Sequence, residues 1–380
     1  MNILALEPYY GGSHKAFLDG WIERSRHHWT LLTLSPRKWK WRMRHAAVTF
    51  TERVTERLAA TESWDALFCS DMLNLAEFLG LAPDPIRSLP SVVYFHENQL
   101  TYPFRCQTER DYHFGFTNMT TALAATAVWF NSAFHRDDFL GALADVLKRM
   151  PDYQPLDTPQ QIRAKSSIHP PGITEFPPRD PRPPGPLRIL WAARWEHDKD
   201  PDTFFDAVRQ LARDGTDFRL SVIGEQFKDS PPVFDEARES LANYIDRWGF
   251  LPTRPDYVAA LSETDVAVST ATHEFFGISM AEALAAGCYP LVPRRLAYPE
   301  LLGLNEDPAA EAFFYDGSAK ALRRRLTDLS QRAAHGSLWH TDRDWGVRRA
   351  ARFAWTQLAP EMDAAIEALT PRGSLPTNRA

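Results

Sequence analysis

The order of apolar strands and amphipathic helices is the feature that most constrains how this chain folds. A short apolar strand at 2–6 is followed by a loop that contains Gly11 and Gly12, and then by a helix. Strand, glycine loop and helix form the opening unit of a doubly wound parallel sheet. Further strands are predicted at 29–34, 66–69, 91–95 and 127–131, with helices at 50–62, 72–80 and 112–125. This alternation predicts a parallel α/β domain at 1–172.

A proline-rich segment at 170–186 interrupts that alternation. Because proline neither pairs in a central strand nor continues a helix, residues 173–186 are predicted to form a semi-rigid linker. Strands are then predicted at 187–192, 218–223, 266–269 and 289–292, with helices at 201–214, 233–247 and 278–286. The sequence therefore predicts two Rossmann-like α/β domains, at 1–172 and 187–345, facing each other across a ligand-binding cleft. A helical tail at 346–370 could cross back to the first domain.

Charge and cysteine usage narrow the classes of partner and compartment. The net charge of −6 over 380 residues gives no global sign of a nucleic-acid partner, although it leaves room for a local basic patch. Cys69, Cys106 and Cys288 lie far apart and fit neither a zinc spacing nor a disulfide framework. The amino terminus lacks the pattern of a signal peptide, and no apolar run reaches membrane-spanning length. We expect a cytoplasmic protein with free thiols and no membrane partner.

The segment 273–282 carries the strongest sign of a ligand site. Glu274 and Glu282 flank a helix that is predicted to begin at Gly277. Backbone N–H groups at the start of that helix would face an anion. One carboxylate would bind hydroxyls of a sugar ring and the other a ribose diol, whereas the alternative is a solvated helix with two unrelated acids. The predicted donor site contains Glu274, Phe275, Phe276, Gly277, Ile278 and Glu282.

A second candidate segment follows the predicted strand 187–192. Arg194 and Lys199 would both approach a diphosphate and neutralise the charge that develops on a departing nucleoside diphosphate. A surface loop with a salt bridge is the alternative. The acidic residues Asp198 and Asp200 resemble a metal-binding acid-x-acid motif. We reject that interpretation because Lys199, between them, is the predicted phosphate ligand, and we expect no metal.

The first domain offers two further polar loops. Gly11 and Gly12 do not complete a G-x-G-x-x-G motif, but they let the backbone approach a ligand closely, and Ser13 and His14 would then line the cleft. At the end of the strand 91–95 follow His96, Glu97 and Asn98. Polar side chains at that place are costly without a purpose, so we expect His96 to contact the reacting sugar. A satisfied structural histidine is the alternative.

A basic and aromatic stretch at 37–45 suggests a macromolecular partner. Its central residues are Lys38, Trp39, Lys40, Trp41 and Arg42. Cations interleaved with tryptophans suit phosphate contacts and base stacking on a structured RNA. A helix with solvated cations and tryptophans in the core explains the same residues.

Together these segments resemble the GT-B glycosyltransferases of family 4, whose second domain carries a Glu-x7-Glu motif and an Arg/Lys pair. Within that family they are most similar to members that mannosylate queuosine in tRNA. The segments that carry this resemblance are 10–15 (YGGSHK), 38–42 (KWKWR), 94–103 (YFHENQLTYP), 194–201 (RWEHDKDP), 273–277 (HEFFG) and 298–300 (YPE). The sequence departs from the commoner family pattern at 169–172, where His-Pro-Pro-Gly replaces an asparagine-glycine turn.

The resemblance implies transfer of mannose from GDP-mannose to the cyclopentenediol of queuosine in tRNA(Asp). It implies retention of configuration and no metal or other cofactor, and the leaving phosphate can accept the proton of the acceptor. By match to the wider family, Arg194 and Lys199 would bind the diphosphate, Glu274 the mannose and Glu282 the ribose. Gly12 would approach the phosphates, His96 would contact the sugar near its reacting carbon, and Glu225 would lie near the donor.

Three other functions remain open at this point. The same chemistry could act on a polysaccharide or a lipid. A GT-B isomerase of nucleotide sugars would need no macromolecular acceptor. A tRNA-binding protein without catalysis would use the basic stretch at 37–45 alone.

Overall fold

The computed structural model describes residues 1–103, 111–180, 183–339 and 342–370. Cys106 lies outside these residues. The chain divides into two compact units, the first made of Met1–Gly172 with Trp355–Ala380 and the second of Ile173–Ala354. The proline-rich segment from 173 onward thus belongs to the second unit, where the Arg179 guanidinium lies 3.4 Å from the Asp265 carboxylate.

The first unit is built on a six-stranded sheet. Its strands are β1 (Asn2–Glu7), β2 (His28–Thr33), β3 (Ala66–Ser70), β4 (Ser91–Phe95), β5 (Ala127–Phe130) and β6 (Ser166–Ile168). They pair in parallel in the order β2-β1-β3-β4-β5-β6. Strands β3, β4 and β5 are buried along their whole length, as expected for parallel strands that are covered on both faces.

Helices cover that sheet. They are α1 (Gly12–Ile22), α2 (Trp39–Ala59), α3 (Leu75–Leu81), α4 (Asp84–Arg87), α5 (Tyr112–Ala124), α6 (Ala133–Lys148) and α7 (Thr158–Ala164). Helix α2 begins much earlier than the predicted helix at 50–62, so the basic stretch lies in its first turns.

The second unit repeats the architecture. Its strands are β7 (Leu187–Ala192), β8 (Phe218–Ile223), β9 (Ile245–Gly249), β10 (Val266–Val268), β11 (Tyr289–Pro293) and β12 (Phe314–Tyr315). They pair in parallel in the order β12-β11-β10-β7-β8-β9. The helices are α8 (Pro201–Arg213), α9 (Val233–Ser240), α10 (Arg254–Ser262), α11 (Ile278–Ala285), α12 (Tyr298–Leu301), α13 (Ala319–Ala334) and α14 (Trp345–Ala351). The prediction of two parallel α/β sheets is confirmed.

The predicted helix at 233–247 is wrong in its second half. Helix α9 ends at Ser240, a 3-10 turn spans Ala242–Tyr244, and β9 follows as an edge strand beside β8. Trp248 on β9 packs against Trp195 with ring centroids 5.5 Å apart. Pairing with β8 and this packing outweigh the helical preference of the local sequence.

The last helix, α15 (Trp355–Glu367), belongs to the first unit. The indole N–H of Trp21 donates to the buried carboxylate of Asp363 at 2.8 Å. A Cβ at Gly172 would overlap the ring of Trp355. The glycine at the end of the unusual 169–172 turn is therefore needed for close packing against α15.

Candidate active site

In the second unit, the loop between β10 and α11 holds the first predicted donor residues. Gly277 precedes α11 with a φ of +93°, and a Cβ there would lie 3.1 Å from the ring of Tyr298. The backbone conformation therefore favours glycine, and the neighbouring ring leaves little space for a side chain. Phe275 and Phe276 are buried, and Phe276 packs edge-on against Phe353. Their side chains stabilise the loop, which leaves their backbone for ligand contact.

Lys199 and Glu274 lie together beside this loop. The buried ammonium group of Lys199 donates to the carbonyl oxygen of His273 at 2.8 Å and lies 3.3 Å from Glu274 Oε2 and 3.2 Å from Asp198 Oδ2. Burial lowers the pKa of Lys199, but the Glu274 and Asp198 carboxylates outweigh burial and raise it. Lys199 therefore stays protonated at neutral pH, with two carboxylates beside it.

The two acidic residues on either side of Lys199 have structural roles. Asp198 pairs with Lys199, as just described. Asp200 caps α8, because its carboxylate accepts the N–H of Thr203 at 3.2 Å. Both carboxylates are used within the loop.

Arg194 lies on the loop after β7 and is exposed. Its guanidinium lies 3.1 Å from the Glu196 carboxylate. The next residue, Trp195, is buried and stacks on Phe234 with ring centroids 4.1 Å apart. Its N–H donates to the carbonyl oxygen of Glu225 at 2.9 Å. This hydrogen bond places Glu225 beside the Arg194 loop, with its side chain exposed.

Glu282, inside α11, has two partners that the sequence did not indicate. Its carboxylate accepts hydrogen bonds from the Arg254 guanidinium at 2.6 Å and from the Tyr257 hydroxyl at 2.9 Å. The guanidinium also lies over the rings of Phe176 and Tyr257, 5.3 and 5.2 Å from their centroids. Because each carboxylate oxygen has two acceptor sites, Glu282 retains the capacity to bind two hydroxyls.

A pocket beside Lys199 and Glu274 adds residues that the sequence analysis missed as site residues. It is lined by these two side chains together with Ser269, Ser279 and Tyr298. The hydroxyl groups of Tyr298 and Ser269 are 2.6 Å apart. Burial and the nearby Glu274 carboxylate raise the pKa of Tyr298 well above its ordinary value. Ser279 lies in the predicted segment 273–282 and Tyr298 in the YPE segment at 298–300, whereas no motif indicated Ser269.

In the first unit, polar residues meet at the carboxyl ends of β1, β3 and β4. Glu7 Oε1 lies 3.3 Å from Nδ1 of His14, on the first turn of α1. The rings of His14 and His96 stack with centroids 3.9 Å apart. Asp71 accepts the backbone N–H of His96 at 2.9 Å. The sequence predicted His14 and His96 but missed the two carboxylates.

Glu7, His14 and His96 also offer ligand atoms within 4.8 Å of one another, which is a spacing at which a metal ion can be held. Glu7 and His14 already form an ion pair. We therefore interpret the group as a hydrogen-bonded cluster. The expectation of metal-independent chemistry remains a prediction.

The two predicted loops of the first unit differ in exposure. Gly12 opens α1 with a φ of +52° and is exposed, as is Ser13, while a Cβ at Gly11 would overlap Pro36. Asn98 is buried, and its side-chain oxygen accepts the N–H groups of Leu100 and Thr101, both at 3.0 Å. This places Asn98 as the cap of a turn inside its loop.

Its neighbour Glu97 is half-buried and accepts a hydrogen bond from the Gln99 side chain at 2.9 Å. The pair lies on the same loop as His96.

The basic stretch divides into exposed and packed residues. Lys38, Lys40 and Trp41 are exposed, and 61% of Trp41 is accessible to solvent. Trp39 is half-buried against Phe114, with ring centroids 5.0 Å apart. Arg42 is half-buried and donates to the backbone and hydroxyl oxygens of Ser35 at 3.0 and 2.8 Å. Trp39 and Arg42 therefore fit the structural alternative, and the other three residues form an exposed aromatic and cationic surface.

Two parallel α/β units with these loops define the class of GT-B glycosyltransferases. Sucrose-phosphate synthase from Thermosynechococcus elongatus superposes with a TM-score of 0.66 at 14% identity, over 97% of this chain and 99% of that one. A glycosyltransferase from Rickettsia africae gives a TM-score of 0.65 at 13% identity, over 98% of each chain. These likenesses show the fold.

Sequence comparison gives the family. A family model described as the tRNA-queuosine alpha-mannosyltransferase N-terminal region matches residues 2–173, and one for glycosyl transferases group 1 matches 173–335. A Drosophila melanogaster protein named tRNA-queuosine alpha-mannosyltransferase is 36% identical over 312 residues, 79% of this chain and 81% of that protein. The chain belongs to the tRNA-queuosine alpha-mannosyltransferase family and is a glycosyltransferase, which confirms the resemblance inferred from its motifs.

A second relative matches a smaller part of the chain. It is a GDP-mannose-dependent alpha-(1-6)-phosphatidylinositol dimannoside mannosyltransferase from Mycobacterium tuberculosis, 27% identical over 186 residues, 49% of this chain and 45% of that protein. Among the described residues, no helix has the length and apolar composition needed to cross a membrane.

Proposed function

We propose that the protein transfers mannose from GDP-mannose to queuosine in tRNA(Asp), with retention of configuration and without a metal or other cofactor. The observation that carries the proposal is the match of residues 2–173 to the N-terminal region of tRNA-queuosine alpha-mannosyltransferases, in a chain whose second unit holds the Lys199–Glu274 pair. The buried free thiols of Cys69 and Cys288 support action in the reducing cytoplasm.

The donor would bind to the second unit. Lys199 and the exposed Arg194 supply positive charge for the diphosphate, and this charge stabilises the nucleoside diphosphate as it leaves. Glu274 would bind the mannose hydroxyls and Glu282 the ribose diol. The two cations would neutralise the charge of the diphosphate, as a divalent metal does in other nucleotide-sugar enzymes, and this supports metal-independent transfer.

The acceptor would contact the first unit. Trp41, which contacts His45 but is 61% exposed, offers ring surface for stacking on a nucleobase, with Lys38 and Lys40 beside it for phosphates. His96 would contact the mannose near its reacting carbon. The departing phosphate would take the proton of the queuosine hydroxyl, so no separate general base is required.

Labelled GDP-mannose and queuosine-containing tRNA test this proposal directly. We expect label in tRNA(Asp) and none in an unmodified transcript of the same tRNA, with transfer lost in Lys199→Met. Label in lipid or glycan in place of tRNA would refute the acceptor. Conversion of free GDP-mannose to an epimer without transfer would instead indicate an isomerase.

A further inference from the structure

A buried cluster of ionisable side chains at the carboxyl end of the first sheet contains groups that have no role in the proposed function. Glu7 and Asp71 are fully buried, and 6% of His14 is exposed. Charged groups at such depth are costly unless they are paired. Their arrangement around His96 shows what the pairing does.

Glu7 is held in one orientation by three neighbours. Its Oε1 atom accepts the N–H of Tyr9 at 2.8 Å and the hydroxyl of Ser70 at 3.0 Å, and it lies 3.3 Å from Nδ1 of His14. These contacts come from the loop after β1, from the neighbouring β3 and from α1. The carboxylate therefore fixes where the His14 ring lies.

His14 in turn forms one wall of a narrow slot for the ring of His96. The two rings stack at 3.9 Å with a tilt of 30°. Tyr94 lies 4.6 Å from the His96 ring, and Phe17 meets it edge-on at 5.3 Å. Asp71 holds the backbone of His96 by a hydrogen bond of 2.9 Å. The ring has little freedom to turn.

We propose that Glu7 and His14 form a charged positioning pair, which keeps the ring of His96 neutral and fixed for its contact with the transferred sugar. This inference rests on the proposed function, because only sugar transfer gives His96 a substrate. Glu7 and His14 act through His96 and are positioning residues.

The charges around the cluster agree with this geometry. Burial lowers the pKa of His14, but the Glu7 carboxylate, with Asp71 and Glu97, raises it to about 9. Burial raises the pKa of Asp71 to about 8. Burial and the His14 and His135 rings hold the pKa of His96 well below its ordinary value.

At neutral pH His14 is therefore protonated, whereas the ring of His96 is neutral. A neutral imidazole both donates and accepts a hydrogen bond, which suits a sugar hydroxyl.

The test replaces Glu7 by Gln in the full-length protein. Histidine-labelled protein is titrated by NMR, with His14→Gln and His96→Gln used for assignment. We expect His14 to titrate near pH 9 in the wild type while His96 stays neutral between about pH 6 and 8. In Glu7→Gln the largest charge that opposes burial is lost and only Asp71 and Glu97 still oppose it, so the pKa of His14 should fall well below 9.

The transfer assay should show the same shift. For Glu7→Gln at pH 8 we expect kcat to fall by about tenfold to hundredfold, with KM for GDP-mannose little changed, since Arg194, Lys199 and Glu282, which are proposed to hold the nucleotide, lie in the second unit. Lowering the pH should restore part of that kcat by protonating His14, and Glu7→Asp should restore part of it at pH 8. A merely structural loss would not depend on pH in this way.

Glu62→Gln is the matched control, because it removes a half-exposed carboxylate paired with Arg57, far in sequence from the cluster, and should change neither readout. A wild-type enzyme that mannosylates tRNA while His14 titrates near its ordinary value overturns the pair and leaves the proposed function intact. Stoichiometric binding of added zinc that is lost in Glu7→Gln also overturns it. Absence of transfer by the wild type is a failure of the proposed function itself. Thermal unfolding followed by circular dichroism shows whether Glu7→Gln is folded. If it is misfolded, His14→Gln replaces it in the assay, and we expect that variant to lose kcat at every pH.

Discussion

Gly224→Ala tests whether the loop that carries Arg194 depends on one close backbone approach. Gly224 follows β8 with a φ of +152°. A methyl group there would overlap the carbonyl oxygen of Ala193 and lie 2.7 Å from its carbonyl carbon, where carbon atoms normally stay about 3.5–4.0 Å apart. Both atoms belong to the backbone, so no side-chain rotation relieves the overlap.

The expected magnitude follows from these two effects. A non-glycine residue in this backbone region costs of order 1–3 kcal/mol, and overpacking adds about 1–3 kcal/mol. We expect the free energy of unfolding to fall by about 2–6 kcal/mol as the two costs combine. If the chain relaxes instead, the Arg194 loop must move away from Glu225, and the affinity for GDP should fall by about tenfold.

Urea unfolding and calorimetric titration with GDP measure both outcomes. Gly215→Ala is the matched control, because Gly215 also has a positive φ, +71°, but a Cβ there meets no atom within 4 Å. The control should lose only about 1–2 kcal/mol and should bind GDP as the wild type does. The reasoning is refuted if Gly224→Ala is as stable as Gly215→Ala and has wild-type affinity for GDP.

Four further predictions concern single contacts. Glu274→Gln should abolish transfer yet bind GDP at least as tightly as the wild type in calorimetry, and weaker binding would contradict this. Arg254→Ala removes the guanidinium group that holds the Glu282 carboxylate in place for the ribose, so KM for GDP-mannose should rise about tenfold while kcat changes little. An unchanged KM would show that this contact does not matter for donor binding. Trp41→Ala should weaken tRNA binding by about 1–3 kcal/mol in a filter assay, whereas Trp39→Ala should mainly lower the melting temperature, and equal effects on binding would contradict the assignment. Burial and the Lys199 charge lower the pKa of His273 to about 4, so between that pH and about 6.5 the unfolded state binds a proton that the folded state does not. The free energy of unfolding should therefore fall by up to about 3 kcal/mol as the pH falls from about 6.5 to 4. His273→Asn should flatten that dependence in acid titrations of unfolding.

The parts of the fold that the sequence predicted are those in which local pattern and tertiary structure agree. Strands β4 and β8 are predicted to the residue, because a parallel strand covered on both faces is an apolar run with polar loops at its ends. The edge strand β9 has charged and half-exposed positions, so its sequence reads as a continuation of α9. It becomes a strand only because it pairs with β8, and the sequence of one segment does not show which strand it will pair with.

The same distinction applies to the site. Lys199 and Glu274 were predicted because each follows a strand of one parallel sheet, and such loops meet at one edge. Arg254 reaches Glu282 from another helix, 28 positions earlier in the chain, and no spacing rule connects them. Glu7 is the last residue of a buried strand and is not part of a polar loop, so nothing in the sequence indicated that it belongs to a site. Trp39 and Trp41 are two residues apart on one helix, so Trp39 faces Phe114 and Trp41 faces solvent. The sequence motif alone does not show which of the two is exposed.

The geometry of Lys199 explains how one cation would serve both the resting site and the proposed donor. An ammonium group has three donors, and three acceptors already surround it: the His273 carbonyl, Asp198 and Glu274. A diphosphate bound to this ammonium group would therefore replace one of them. Asp198 is nearly inaccessible, with 3% of its side chain exposed, whereas 25% of Glu274 is exposed. Glu274 is thus the partner that can leave, and the sugar hydroxyls are what its carboxylate would gain. Because a glutamine at this position holds the ammonium group less strongly, the diphosphate competes better for it, while the charged contact to mannose is lost.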